Sequence, residues 1–209
     1  MTKPIIFFDW DGTLADSMDH MRGEIRATLT RMGLPMVSDA TMLRCNGPTF
    51  LECVPVLGIP PERVEEYLRI RTEAGLALVP QLQRLFPCVR ELLEELSGRY
   101  RLVIASNGPR GYLERSIAQF QLTPLFTRVE AARPGRTKAQ ALSELLRELA
   151  PERAVMVGDR LTDTLAARAN RLPSSAVQYG YGSPEEWRQA DYAVANTEAL
   201  RETLLMLLG

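Results

Sequence analysis

Three short apolar runs punctuate the chain: Ile5 to Phe8, Leu102 to Ala105 and Ala154 to Val157. Runs of that length, with β-branched and aromatic content, suit strands buried on both faces of a parallel sheet. Phe126 to Glu130 and Ala176 to Tyr179 are weaker candidates of the same kind. Between them the spacing changes to that of helices. Val89, Leu92, Leu93 and Leu96 fall at i, i+3, i+4, i+7, as do Leu142, Leu145, Leu146 and Leu149. Leu200, Leu204, Leu205 and Leu208 give Asn196 to Leu208 the apolar side of a terminal helix. From residue 84 onward helix and strand alternate, which predicts a doubly wound, Rossmann-like α/β core with a parallel sheet.

The first strand stands apart from that block. Residues 17–83 carry no strand pattern; Ser17 to Met32, Ser38 to Cys45, Thr49 to Leu57 and Pro61 to Val79 read as helices. Gly33, Asn46-Gly47-Pro48 and Gly58-Ile59-Pro60 break them. The expectation is a small all-helical cap domain over 17–83, inserted after the first strand of a core domain made of 1–16 and 84–209. No internal repeat or low-complexity segment interrupts this plan.

Composition narrows the partners. The 209 residues carry a formal net charge of −1 and no basic stripe, which disfavours nucleic acid and anionic membranes as partners. Asp9 ends the first apolar run well short of a signal-peptide core or a membrane span, so neither is expected. Cys45, Cys53 and Cys88 are odd in number and lack metal-ligand spacing, and read as reduced thiols of a cytoplasmic protein. A monomer or homodimer is expected. Lys3 and Lys138 are the only lysines; the rest of the 25 basic residues are arginine. A lysine kept against such a bias points to a place where arginine would not serve.

Ligands of open parallel sheets bind beyond the carboxyl ends of the strands. Asp9-Trp10-Asp11-Gly12-Thr13 follows the first run, Ser106-Asn107-Gly108 the second, and Gly158-Asp159-Arg160-Leu161-Thr162-Asp163 the third. Residues two apart on an extended segment point the same way, so Asp9 and Asp11 flank one centre. One carboxylate can attack phosphorus while the other protonates the leaving alcohol and then activates water. Two capping aspartates in a turn would read alike from Asp-x-Asp alone; attachment to a buried strand with Gly-Thr behind favours the chemical reading. Asp9 and Asp159, with the Asp11 backbone carbonyl, make a hard-oxygen set suited to Mg²⁺. Asp163 would orient metal waters or brace the loop, or serve only as a helix N-terminal acid. Ser106 and Asn107 offer a hydroxyl and backbone N–H groups to a phosphate. Lys138 opens a helix, where a cation is mildly unfavourable, and would neutralise the phosphoryl charge; Arg136 competes for that role.

Taken together, Asp9-Trp10-Asp11-Gly12-Thr13, Ser106, Lys138 and Gly158-Asp159 with Asp163 resemble the four motifs of the haloacid dehalogenase superfamily. A cap after the first motif resembles the C1-capped subclass, and Gly158-Asp159-Arg160 with Tyr179-Gly180-Tyr181-Gly182-Ser183 looks like its phosphoglycolate phosphatase-like members. The resemblance implies Asp9 as nucleophile forming an aspartyl-phosphate and Asp11 as acid/base. It implies Ser106 and Lys138 as phosphate ligands, and Asp9, Asp11 and Asp159 as Mg²⁺ ligands. Asn46-Gly47-Pro48-Thr49 looks like a substrate-contacting cap loop. Trp10 is bulkier than the family's usual residue there, with a side chain expected to point away, and Thr137-Lys138-Ala139 replaces the common Lys-Pro.

A phosphatase acting on a small phosphorylated metabolite is therefore expected, with phosphoglycolate leading over pyrophosphate, a nucleoside monophosphate or a sugar phosphate. Asp11 argues against a dehalogenase, and the lack of lysine from Ser17 to Gln83 argues against a phosphonatase. A phosphotransferase or mutase would want acid/base groups on the cap, for which His20 is the one histidine available. A catalytically silent phosphate-binding protein is the reading from another class, and nothing in the sequence favours it.

Overall fold

The computed structural model describes residues 3–209, so the first two residues of the expected core domain lie outside the described residues. Strand β1 (Ile5–Phe8) leads to a two-residue strand β2 (Ala15–Asp16). Four helices follow: α1 (Met18–Arg31), α2 (Asp39–Leu43), α3 (Cys53–Val56) and α4 (Val64–Leu82). The chain returns through β3 (Arg84–Leu85), α5 (Val89–Arg99), β4 (Arg101–Ala105) and α6 (Arg110–Gln119). Then come β5 (Phe126–Glu130), α7 (Lys138–Leu149), β6 (Ala154–Gly158) and α8 (Leu161–Ala169). β7 (Ser174–Val177), α9 (Pro184–Trp187), β8 (Tyr192–Val194) and α10 (Thr197–Leu208) complete it.

Six strands form one parallel sheet in the order β5-β4-β1-β6-β7-β8. Successive residues of the central strands face opposite sides, as a period of two requires. Ile6, Phe8, Leu102, Ile104, Val155 and Val157 enter one core with Leu93, Leu113 and Leu204 of the helices behind them. Ile5, Phe7, Val103, Ala105, Ala154 and Met156 enter the other with Leu142, Leu145 and Ala167. Both faces being covered, the central strands β1 and β6 are apolar throughout, and this is the doubly wound α/β sheet that the alternation predicts.

Two expectations shift and one further strand appears. The strand expected at Ala176 to Tyr179 begins earlier, at Ser174, because Asp191 takes up the N–H and hydroxyl of Ser174 at 2.8 and 2.7 Å and so makes a polar residue tolerable inside. β8 is an edge strand of three residues, too short to show a pattern. The helix expected from Thr49 shrinks to Cys53–Val56, since the N–H and hydroxyl of Thr49 both bond Glu52 in a turn.

The helices α1–α4 hold a separate apolar core that includes Ile25, Leu29, Met42, Tyr67 and Ile70. The two crossings between this segment and the sheet lie side by side, because β2 and β3 pair antiparallel, Ala15 with Leu85 and Asp16 with Arg84. No helix among the described residues is long and apolar enough to cross a membrane. Leu93 is fully buried against the sheet. Leu93→Ala is expected to cost about 2–5 kcal/mol in urea unfolding, and a loss well under ~1 kcal/mol would mean that α5 does not carry this core.

Candidate active site

β4, β1 and β6 are neighbours in the sheet, so Ser106, Asp9 and Asp159 emerge together at its carboxyl edge. The Asp9 N–H continues the ladder by donating to the Val157 carbonyl at 2.9 Å, which fixes where its side chain starts. Asp9 Oδ1 accepts the Trp10 N–H at 2.8 Å, and Oδ2 lies 3.1 Å from Lys138 Nζ. Lys138 is placed by a capping box of Thr137 and Gln140 that sets the start of α7. Its Nζ also donates to Asp163 Oδ1 at 2.5 Å, while Asp163 Oδ2 accepts the Arg160 N–H at 3.1 Å. Burial alone would push the ammonium of Lys138 down, but Asp163 and Asp9 outweigh it and hold the group above the usual lysine range. Arg136, the rival cation, is engaged by Glu130 and by Glu144 instead.

Asp9, Asp159 and Asp163 are all buried, and a ligand oxygen of each lies within 4.8 Å of the others. Asp159 Oδ2 accepts the Tyr181 N–H at 2.8 Å, and Oδ1 accepts from the Thr13 hydroxyl at 3.4 Å. Burial first, then Asp163 and Asp9, push Asp159 well above the usual carboxylate range. One ammonium among three buried carboxylates leaves surplus negative charge on hard oxygens, a donor set that fits Mg²⁺. The Asp11 carboxyl is outside this cluster and takes the Tyr112 hydroxyl at 2.5 Å. Asp11 could therefore join a metal through its backbone carbonyl, the atom named from the sequence. Asp163 stands inside the cluster with both oxygens already engaged.

Asp11 itself is half-buried and its pKa is raised to about 6. Burial is the main cause and Asp9 adds to it, against hydrogen bonds from Ser17 and Tyr112. A carboxyl in that range serves as both acid and base near neutral pH. Gly12 turns the loop at φ +78°, and a Cβ there would stand 2.3 Å from Asp159 Oδ2. A Cβ on Gly180 would stand 2.2 Å from the Gly12 carbonyl oxygen, so the segment around Tyr181 packs directly on both acidic loops. The Tyr181 hydroxyl donates to Asp16 at 2.8 Å and accepts the N–H groups of Ser17 and Met18 at 2.6 and 2.9 Å. One tyrosine thus joins a candidate metal ligand to the first crossing into the helical segment.

Above this edge lies a cleft of about 60 Å³. Asp9, Asp11, Ser106 and Asn107 line its floor, and Asn46-Gly47-Pro48, Phe50 and Arg71 line the helical side. Ser106 Oγ accepts the Gly108 N–H at 3.3 Å, which leaves its proton for a ligand. The Asn107 side chain spans the cleft edge, donating to the Gly47 carbonyl at 2.8 Å, so toward a phosphate it has its backbone N–H to offer. Arg160 holds the same loop by donating to the Asn46 carbonyl at 2.5 Å. Arg71 is buried, bonded to Glu24 and to the Tyr67 hydroxyl, with its guanidinium 3.9 Å from the Phe50 ring centre. His20 stacks on Tyr112 with ring centres 5.0 Å apart, and its Nε2 is 2.8 Å from the Gly75 carbonyl. Tyr112, Arg71 and Arg160 carry no local sequence signal for these places.

Residues 6–177 match the haloacid dehalogenase-like hydrolase family. The chain is 32% identical over 212 residues to a 5'-nucleotidase of Pseudomonas aeruginosa, covering 96% of this chain and 95% of that one. It is 34% identical over 180 residues to a phosphoglycolate phosphatase of Synechococcus elongatus, covering 84% of each. The solved structure of a haloacid dehalogenase-like family hydrolase from Streptococcus pneumoniae superposes with a TM-score of 0.85 at 26% identity, over 98% of both chains.

The raised carboxyl of Asp11 has a consequence for stability. It takes up its proton near pH 6 in the folded chain and near 3.8 unfolded, so between those values the folded state binds more protons. Stability from this group is present at low pH and lost as pH rises through that window. Asp11→Asn, which cannot ionise, is expected to match the unaltered protein at pH 4 and to exceed it by roughly 1–3 kcal/mol at pH 7 in metal-free urea titrations. A gap that does not grow with pH would contradict this.

Proposed function

Since the chain belongs to the haloacid dehalogenase-like hydrolase family and is a hydrolase acting on phosphate esters, we propose that it is a Mg²⁺-dependent phosphatase with Asp9 as nucleophile, Asp11 as general acid and base, and a small anionic ester of the phosphoglycolate kind as substrate. The observation that carries this is the Asp9 carboxylate, held between the Trp10 N–H and Lys138, beside a second carboxyl raised to about 6 and opening on the same cleft.

An Asp9 oxygen bonds to phosphorus as the bond to the leaving oxygen breaks, and Asp11 gives that oxygen its proton. Asp11, now a carboxylate, draws a proton from water as the water attacks phosphorus and the bond from phosphorus to the Asp9 oxygen breaks. Phosphate departs, and both aspartates return to their starting forms. Lys138, the Ser106 hydroxyl and the Asn107 N–H hold the phosphoryl oxygens, and Asp163 keeps Lys138 in place. Asp9, Asp159 and the Asp11 carbonyl would hold Mg²⁺, which when bound neutralises phosphoryl charge.

A volume of about 60 Å³ corresponds to a few waters at ~10–15 Å³ each. So small a cleft favours a small ester over a bulky one, and Arg71 on the facing wall is paired with Glu24. A nucleoside monophosphate is the second reading, favoured by the Pseudomonas relative; its bulk needs the helical segment to open. A mutase is less well supported, since the Gly75 carbonyl already engages His20 Nε2.

With Mg²⁺ present, phosphoglycolate is expected to give the highest kcat/KM in a panel of phosphoglycolate, pyrophosphate, sugar phosphates and nucleoside monophosphates, and EDTA to abolish turnover. Asp9→Asn is expected to eliminate activity and Asp11→Asn to lower kcat by ~10²–10⁴-fold. Turnover retained in Asp9→Asn would sink the mechanism; nucleoside monophosphates ranking first would give the substrate to the second reading.

A further inference from the structure

Trp10 lies between the two catalytic aspartates, and its indole is buried in the sheet core. Its Nε1 donates to Ser116 Oγ at 2.8 Å. An indole nitrogen only donates, so the Ser116 oxygen accepts and its own proton goes to Gln83 Oε1. The Nε2 of the same amide donates to the Tyr112 oxygen, and the phenolic proton then has one destination, Asp11 Oδ1 at 2.5 Å. With Asp11 ionised, turning the amide over would leave Tyr112 with one proton for two acceptors, Gln83 and Asp11. Every proton in the chain is thus committed in one direction. Each member is shut from water: Trp10 and Ser116 are 0% exposed, Gln83 1% and Tyr112 7%.

We propose that Gln83 is a positioning residue for the general acid. Through Tyr112 it fixes Asp11 Oδ1 as a permanent acceptor and leaves Oδ2 as the oxygen that carries the proton exchanged with substrate. A proton on Oδ1 would meet the phenolic proton head on. The inference rests on the reading of Asp11 as acid and base. Gln83 ends α4 and precedes β3, the second crossing between helical segment and sheet. Seating that segment therefore sets the orientation of the acid, and displacing it withdraws the amide from Tyr112 and Ser116 together. The chain also accounts for a tryptophan at position 10, where an aliphatic residue or phenylalanine would supply no donor to start it.

The test compares two esters on the full-length enzyme with Mg²⁺. Phosphoglycolate needs a proton delivered to its leaving alkoxide, whereas p-nitrophenolate leaves without one. Tyr112→Phe removes the donor to Asp11. Gln83→Glu keeps the size and both neighbours but presents two acceptors, drawing the Tyr112 proton away. In both variants kcat/KM, which reports the steps up to release of the alcohol, is expected to fall ~10–100-fold on phosphoglycolate, and the loss of kcat/KM on p-nitrophenyl phosphate to be about tenfold smaller. Equal losses on the two esters in both variants, or no loss in Tyr112→Phe, would mean that the chain only packs the crossing and would overturn the proposal. An unaltered protein that hydrolyses neither ester would instead overturn the phosphatase reading, and this inference with it.

Discussion

Three buried acidic side chains, Asp9, Asp159 and Asp163, crowd the carboxyl edge of the central strands with the ammonium of Lys138 among them. Each ion taken out of water costs several kcal/mol even after relaxation. Such a cluster holds together because backbone groups over-determine it. The Asp9 N–H is part of the sheet ladder, the Arg160 N–H secures Asp163, the Tyr181 N–H secures Asp159, and Gly12 lets the loop pass so close to Asp159 that a Cβ there would stand 2.3 Å from its Oδ2. The same surplus of negative charge that burdens the fold is what gives a cation and a phosphoryl group reason to bind.

The helical segment is tied to this cluster at both of its crossings and at its loop. Tyr181 reaches Asp16, Ser17 and Met18, and Gln83 reaches Tyr112 and Ser116. Asn107 and Arg160 hold the carbonyls of Gly47 and Asn46. All of these partners sit on, or beside, segments that carry candidate catalytic groups. The contacts that seat the segment against the sheet are thus the ones that border the cleft.

The buried strands were legible because a sheet covered on both faces demands unbroken apolar runs, and Ile5–Phe8 and Ala154–Gly158 obey that demand. Ser174–Val177 was displaced in the sequence reading because a hydrogen-bonded serine can stand inside a sheet. Asp9, Ser106 and Asp159 were legible because each directly follows a strand, and Asp11 through its place two residues after Asp9. Lys138 was legible through its rarity. Tyr112 and Gln83 were not, since their roles come from contacts such as the one between Tyr112 and Asp11, 101 positions apart, which no local pattern encodes. Arg71 was hidden for the same reason, as one arginine among many whose partner Glu24 lies on another helix.

The central claim is that the Asp9 carboxylate becomes covalently phosphorylated. Quenching turnover with borohydride reduces an acyl phosphate to an alcohol, and peptide mass spectrometry then locates it. Homoserine at position 9, formed only when ester and Mg²⁺ are both present, is the expected result. Turnover that leaves Asp9 unreduced while a different residue carries the mark, or while none does, would contradict the account.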